Sequence, residues 1–141
     1  MLQEEFLGQN SLNNLKNLIK YLKIKKVLVF CGKKSFSKSG ASELLKAILE
    51  RTENEFFYKS FDYPEFQDLV LSSKLVTEFR PDIILAIGGG AVLDLAKLSN
   101  VFCTFNFEKN KIKKYAFEIK KKFCKLVAIP TTAGSGAEAT R

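Results

Sequence analysis

Hydrophobic and polar positions along the chain alternate between two kinds of pattern. From Ser11 onward, Leu12, Leu15, Leu18, Ile19 and Leu22 recur at helical spacing, with Asn10 or Ser11 as the expected cap. VLVFCG (27–32) is a continuous apolar run ending in glycine, as in a strand covered on both faces. Ser42 to Glu50 carries Leu44, Leu45, Ile48 and Leu49, a second amphipathic helix. EFFYKSF (55–61) is rich in aromatics and predicts a second strand. After Pro64, a helix through Leu71, Leu75 and Phe79 runs to the break at Arg80–Pro81. DIILAI (82–87) predicts a third strand, followed by three glycines and a helix from Ala91. A Lys-rich segment of helical pattern comes next, and KLVAIP (125–130) predicts a fourth strand.

Strands that alternate with helices of crossover length imply βαβ units. The fold class expected is therefore α/β, a Rossmann-like parallel sheet with helices on both faces. Such sheets bind ligands beyond the carboxyl ends of their strands. Three strands here end in small or polar residues: CGKKS, IGGGA and IPTTAGSGAE. Gly88, Gly89 and Gly90 stand between a buried strand and a helix. Glycine there permits positive φ and close approach of a backbone or ligand. The unpaired N–H groups of the following helix suit a phosphate. A tight turn with close helix–sheet packing is the alternative, although three consecutive glycines exceed what a turn requires. The stretch matches neither GxGxxG nor GxxxxGK[ST].

Asp94 is expected in the first turn of that helix, with Lys97 three residues on. The pair serves either as dipole compensation with an i,i+3 ion pair or as a polar contact into the cleft, Lys97 holding Asp94. In the second loop, Thr131 and Thr132 follow a strand directly, and Gly134 and Gly136 flank Ser135. Ser135 and Glu138 also fit a capping box. Hydroxyls and glycines at one sheet edge suggest a second wall of one nucleotide cleft.

Composition narrows the class. A chain of 141 residues is one domain by length, able to bury roughly two-thirds of its unfolded surface. The start, MLQEEF, lacks the features of a signal peptide, and no apolar run is long enough to span a membrane. Cys31, Cys103 and Cys124 have no CxxC spacing and read as free thiols in a reducing, cytoplasmic setting. The net charge is +8, much of it in NKIKKYAFEIKKKFCK (110–125). A charge run of this kind is ordinarily a solvated helix face. No nucleic-acid reading element accompanies it, so neither nucleic acid nor membrane is expected as a partner.

GGGAVLDLAK (88–97) resembles the GGGSxxDxAK motif of the iron-containing (group III) alcohol dehydrogenases. IPTTAGSGAEAT (129–140) resembles their PTTAGTGSEVT motif. EEFLGQNSLNNL followed by KKVLVFCGKKS resembles their N-terminus, so the likeness runs along the whole chain. It implies a dinucleotide-binding domain over 1–141, incomplete at its C-terminus, and a helical domain bearing an Asp and three His ligands for Fe²⁺ or another divalent ion. The parent activity implied is NAD(P)-dependent oxidation of a small alcohol or reduction of an aldehyde or ketone. By motif position, Gly88, Gly89, Gly90 and Ala91 form the pyrophosphate loop and Asp94 lies toward the nicotinamide. Thr131, Thr132 and Ser135 contact the adenosine or phosphate parts, and Gly134 permits close approach.

Some positions depart from the family pattern. Ala91 stands where the motif has Ser, and Tyr63 where an Asn often precedes the proline. After the first strand, NAD-specific members carry an Asp; this chain has Gly32, Lys33, Lys34 and Ser35. With no carboxylate and two cations there, NADP is expected over NAD. The chain holds no histidine, so no catalytic or metal-ligating residue is assigned in it, and inactivity alone is expected. Apolar surface left by a missing domain would favour homo-oligomers. Dehydroquinate synthase and glycerol dehydrogenase share the fold but match the second motif less well. A non-enzymatic nucleotide- or polyanion-binding module using the Lys-rich segment is the remaining alternative.

Overall fold

The computed structural model describes residues 4–8, 11–33, 36, 40–59, 65–104, 122–134 and 136–139. Eight elements are described: α1 (Leu12–Tyr21), β1 (Lys26–Gly32), α2 (Ala41–Leu49), β2 (Glu53–Lys59), α3 (Phe66–Phe79), β3 (Ile83–Gly88), α4 (Gly90–Phe102) and β4 (Lys125–Pro130). The expected order of strands and helices holds. The Lys-rich segment expected to be helical, 110–125, lies outside the described residues up to 121.

The four strands form one parallel sheet in the order β2-β1-β3-β4. Alternate residues of the central strands feed two cores, as the two-residue period of a strand requires. Val27, Val29, Cys31, Ile83, Leu85 and Ile87 pack with Leu15 and Ile19 of α1 and Leu45 and Leu49 of α2. Leu28, Phe30, Ile84 and Ala86 pack on the opposite face with Val76 of α3 and Val92, Leu93, Leu95 and Ala96 of α4. Burial on both faces explains why β1 and β3 are unbroken apolar runs. β4, which among the described residues pairs with β3 alone, is half-buried along Leu126–Ile129.

Several expectations shift in detail. β2 begins two residues earlier than the aromatic run, because Glu53 pairs in register with Lys26. Ser11 stands at the α1 N-cap but has helical backbone angles and makes no side-chain cap bond, so it does not cap as expected; Asn10 lies outside the described residues. Leu44 and Leu71, part of the apolar patterns that predict these helices, are 61% and 52% exposed. On α3 the buried positions are Asp68, Ser72, Ser73 and Val76. Small side chains let α3 approach α4, where the Ser72 and Ser99 hydroxyls sit 2.6 Å apart. One hydroxyl donates to the other, and the accepting hydroxyl donates to the carbonyl one turn earlier on its own helix, Asp68 for Ser72 or Leu95 for Ser99.

Asp82 lies just before β3, not within it. Its Oδ2 accepts the backbone N–H of Lys25 at 2.8 Å and of Lys26 at 2.9 Å, tying the entries of β1 and β3 together. Those two bonds hold its carboxyl below the ordinary value of 3.8. At the far end of α4, the buried Asn100 side chain donates to the Cys124 carbonyl at 2.9 Å and accepts the Cys124 N–H at 3.0 Å. That double bond fixes where β4 begins.

Candidate functional site

The strand order places the turning point of the sheet at its centre. From β1 the chain goes outward to β2, then returns past β1 to β3 and β4. The carboxyl ends of β1 and β3 therefore flank a crevice of the kind that takes ligands in open α/β sheets. Cys31 is in register with Ile87, which puts Gly32 and Gly88 at the same level on the two sides.

Gly88 and Gly89 are there for space, not for unusual backbone angles. Gly88 belongs to the strand, and Gly89 has φ −80° and ψ −179°, an extended conformation open to any residue. A Cβ on Gly88 would lie 2.9 Å from Val92 Cγ2 and 3.0 Å from Val92 Cβ. A Cβ on Gly89 would lie 3.0 Å from Thr132 Oγ1. Gly88 thus lets the first turn of α4 sit on the strand end, and Gly89 lets the second loop close against the first. The helix starts at Gly90, one residue earlier than expected. Val92 and Leu93 donate to the Gly89 carbonyl at 3.0 and 3.2 Å, and the N-cap residue, Gly89, makes no side-chain cap bond. The N–H groups of Gly90 and Ala91 lie ahead of the intrahelical ladder.

Asp94 is the fifth residue of α4, so it is past the first turn, which contains no acidic residue. The expected dipole compensation at this terminus is corrected accordingly. The Asp94 side chain is exposed. Lys97 reaches across to the second loop, its Nζ donating to the carbonyl of Ala137. Desolvation there lowers its pKa, with the Asp94 and Glu138 carboxylates opposing the shift.

The second loop joins the first directly. The Thr131 N–H donates to the Gly88 carbonyl at 2.9 Å, and Thr132 Oγ1 is the atom facing Gly89. Gly134 has φ +90° and Gly136 φ +61°, so here glycine serves backbone conformation, with nothing within 4 Å of an added Cβ. Ala137 to Ala139 form a turn, with the Ala139 N–H on the Gly136 carbonyl at 3.0 Å. Ser135, and with it the capping-box reading, lies outside the described residues.

Of the expected site residues, Gly88, Gly89, Gly90, Ala91, Thr131 and Thr132 are gathered at one sheet edge. Gly32 is half-buried at the opposing strand end and Lys33 is exposed beside it; Lys34, Ser35 and Tyr63 lie outside the described residues. Sequence reasoning missed the Lys97–Ala137 and Asn100–Cys124 links, each between residues far apart in the chain. A separate hollow of about 430 Å³ between α2 and β2, lined by Phe36, Phe56, Tyr58 and Lys46, does not involve these loops. Among the described residues no three His, Cys, Asp or Glu gather as a metal site. No described helix is long and apolar enough to cross a membrane. Burial pushes the thiols of Cys31 and Cys124 up to about 12, so they stay protonated.

A family model described as "Iron-containing alcohol dehydrogenase" matches residues 3–141. The chain is 31% identical over 141 residues to an alcohol dehydrogenase of Thermococcus barophilus, covering 94% of this chain and 36% of that protein. It is 30% identical to an NADPH-dependent butanol dehydrogenase of Clostridium saccharobutylicum, covering 96% of this chain and 35% of that one. The solved iron-containing alcohol dehydrogenase of Thermococcus thioreducens superposes with a TM-score of 0.75 at 25% identity, over 92% of this chain and 35% of that structure. The chain thus spans about a third of the length of the curated relatives it matches.

Proposed function

Because the chain belongs to the iron-containing alcohol dehydrogenase family, we propose that residues 1–141 act as the dinucleotide-binding part of an NAD(P)-dependent alcohol dehydrogenase or aldehyde reductase. One observation carries this reading: the loops after β3 and β4 abut, with Thr131 N–H on the Gly88 carbonyl and Thr132 Oγ1 against Gly89. Together they wall one side of the crevice at the sheet's turning point. A bound nicotinamide would exchange a hydride with the carbon of a small alcohol or aldehyde.

The chain's own residues would bind and orient that cofactor. The amides of Gly89, Gly90 and Ala91 take the pyrophosphate, which the uncapped helix end favours by its dipole. Gly88 keeps the helix low enough to leave room. Thr131, Thr132 and Ser135 hold the adenosine or phosphate portions, Gly134 allows the loop to come close, and Asp94 lies toward the nicotinamide. On the other side of the crevice, Gly32 and Lys33 accept the ribose end, with Ser35 assigned to the same role from the sequence. Without a carboxylate to take the ribose 2′-hydroxyl, and with a cation in its place, NADP is preferred over NAD. The NADPH dependence named for the Clostridium relative supports that preference.

Iron does not fit the residues of this chain. It has no histidine to supply the imidazole ligands that the family resemblance implies. The chain alone is accordingly inactive toward alcohols. Titrating it with NADPH and NADH by calorimetry tests the reading. The expected result is binding of both, NADPH more tightly. Clearly tighter NADH binding overturns the preference, and binding of neither overturns the nucleotide reading. Turnover of an alcohol by the chain with added Fe²⁺ and NADP⁺ overturns its inactivity.

A further inference from the structure

The second loop crosses between strand β4 and the turn at Ala137–Ala139 with two glycines in left-handed conformation, Gly134 and Gly136. A segment of that kind is held in place by its ends. At one end Thr131 is bonded to Gly88. At the other, Ala137 is 4% exposed and packs into the core beneath α4, and its carbonyl receives the Lys97 ammonium from the middle of α4. We propose that Lys97 is a positioning residue: its ammonium clamps the far end of the second loop to the helix that presents the Gly90 and Ala91 amides, and so sets the separation between the two walls of the crevice.

The choice of a charged donor has a physical reason. Ala137 is buried, and a carbonyl in such a place needs a partner. A charge-assisted bond is stronger than a neutral one, and Lys97 spans the gap to the loop from a rigid helix. A loop hinged on two glycines and released at one end would sample many conformations, and the nucleotide would have to select the closed one. Rigidity supplied by Lys97 removes that selection before the nucleotide arrives.

The inference rests on the nucleotide reading above, and its test separates the two. Amide hydrogen exchange of the nucleotide-free 141-residue chain reports the clamp alone. Lys97→Met is expected to raise exchange across residues 133–139 while leaving β1 and β3 protected. It is expected to weaken NADPH binding about tenfold, the order of one lost charge-assisted bond. Lys97→Arg, which retains a donor, should restore most of both. Leu45→Ala, on the opposite face of the sheet, supplies a variant of lowered melting temperature that should bind NADPH as the wild type does. Unchanged exchange in Lys97→Met overturns the clamp. Faster exchange with unchanged NADPH affinity overturns its role in setting the crevice, as does equal weakening by Leu45→Ala. If the wild type binds no nucleotide, the crevice role falls with the nucleotide reading, while the exchange data still decide the clamp.

Discussion

Replacing Gly88 by alanine tests whether this glycine exists to seat α4. The added Cβ would lie 2.9 Å from Val92 Cγ2, 3.0 Å from Val92 Cβ and 3.3 Å from Val92 Cγ1. Carbon atoms pack at roughly 3.5–4.0 Å, so the first turn of α4 must lift by about half an ångström or more. Val92 cannot give way alone, because Leu93, Leu95 and Ala96 beside it are locked in the core. Overpacking of this kind costs about 1–3 kcal/mol, or roughly 3–10 °C in Tm for a domain of this size. Urea unfolding followed by circular dichroism measures it. In a Val92→Ala background two of the three contacts vanish, and the penalty should fall by about 1 kcal/mol. Gly89→Ala is the control: its Cβ meets only the side chain of exposed Thr132, which can turn away, so stability should change by no more than about 0.5 kcal/mol. A Gly88→Ala penalty below about 0.5 kcal/mol, or one equal in both Val92 backgrounds, refutes the argument.

Two further outcomes are expected. Asn100→Ala leaves the part-buried N–H and carbonyl of Cys124 without the partners at 3.0 and 2.9 Å, and should cost about 1–2 kcal/mol in urea unfolding; a loss near zero would mean β4 is anchored by other contacts. Asp82→Ala should lower stability at pH 7 by about 0.5 kcal/mol, the low end for an exposed carboxylate accepting two amide bonds. The folded-state carboxyl titrates below its ordinary 3.8, so this stability is present above that pH and lost as pH falls through the depressed value. Melting curves from pH 7 to pH 2 should show the two proteins converging at the acid end, and a gap constant with pH would contradict the assignment.

The strands were legible because they carry their own signal. An unbroken apolar run such as VLVFCG reports burial on both faces whatever lies above and below it. The expected bounds of β4 match those observed, and α1 and α2 lie within a residue of theirs. The α3 face was not legible. Periodicity ran the helix through Leu71, yet Ser72 and Ser73 are buried and Leu71 is exposed, because small side chains are buried where a second helix comes close. Thr131, Thr132 and the glycines of the candidate site stood out as unusual residues at strand ends. Their reasons did not: Gly89 could equally have served a positive φ until its φ proved to be −80° and its neighbour Thr132.

The chain's own pattern determined the α/β class, the order of its elements and the loops where ligand chemistry would lie, since periodicity and glycine content are local properties. Tertiary structure decided which loops meet. The contacts that close the site and frame it, Lys97 to Ala137, Asn100 to Cys124 and Ser72 to Ser99, join residues 40, 24 and 27 positions apart. Each is a hydrogen bond whose value depends on burial and on a partner delivered by another element, and no stretch of sequence contains both.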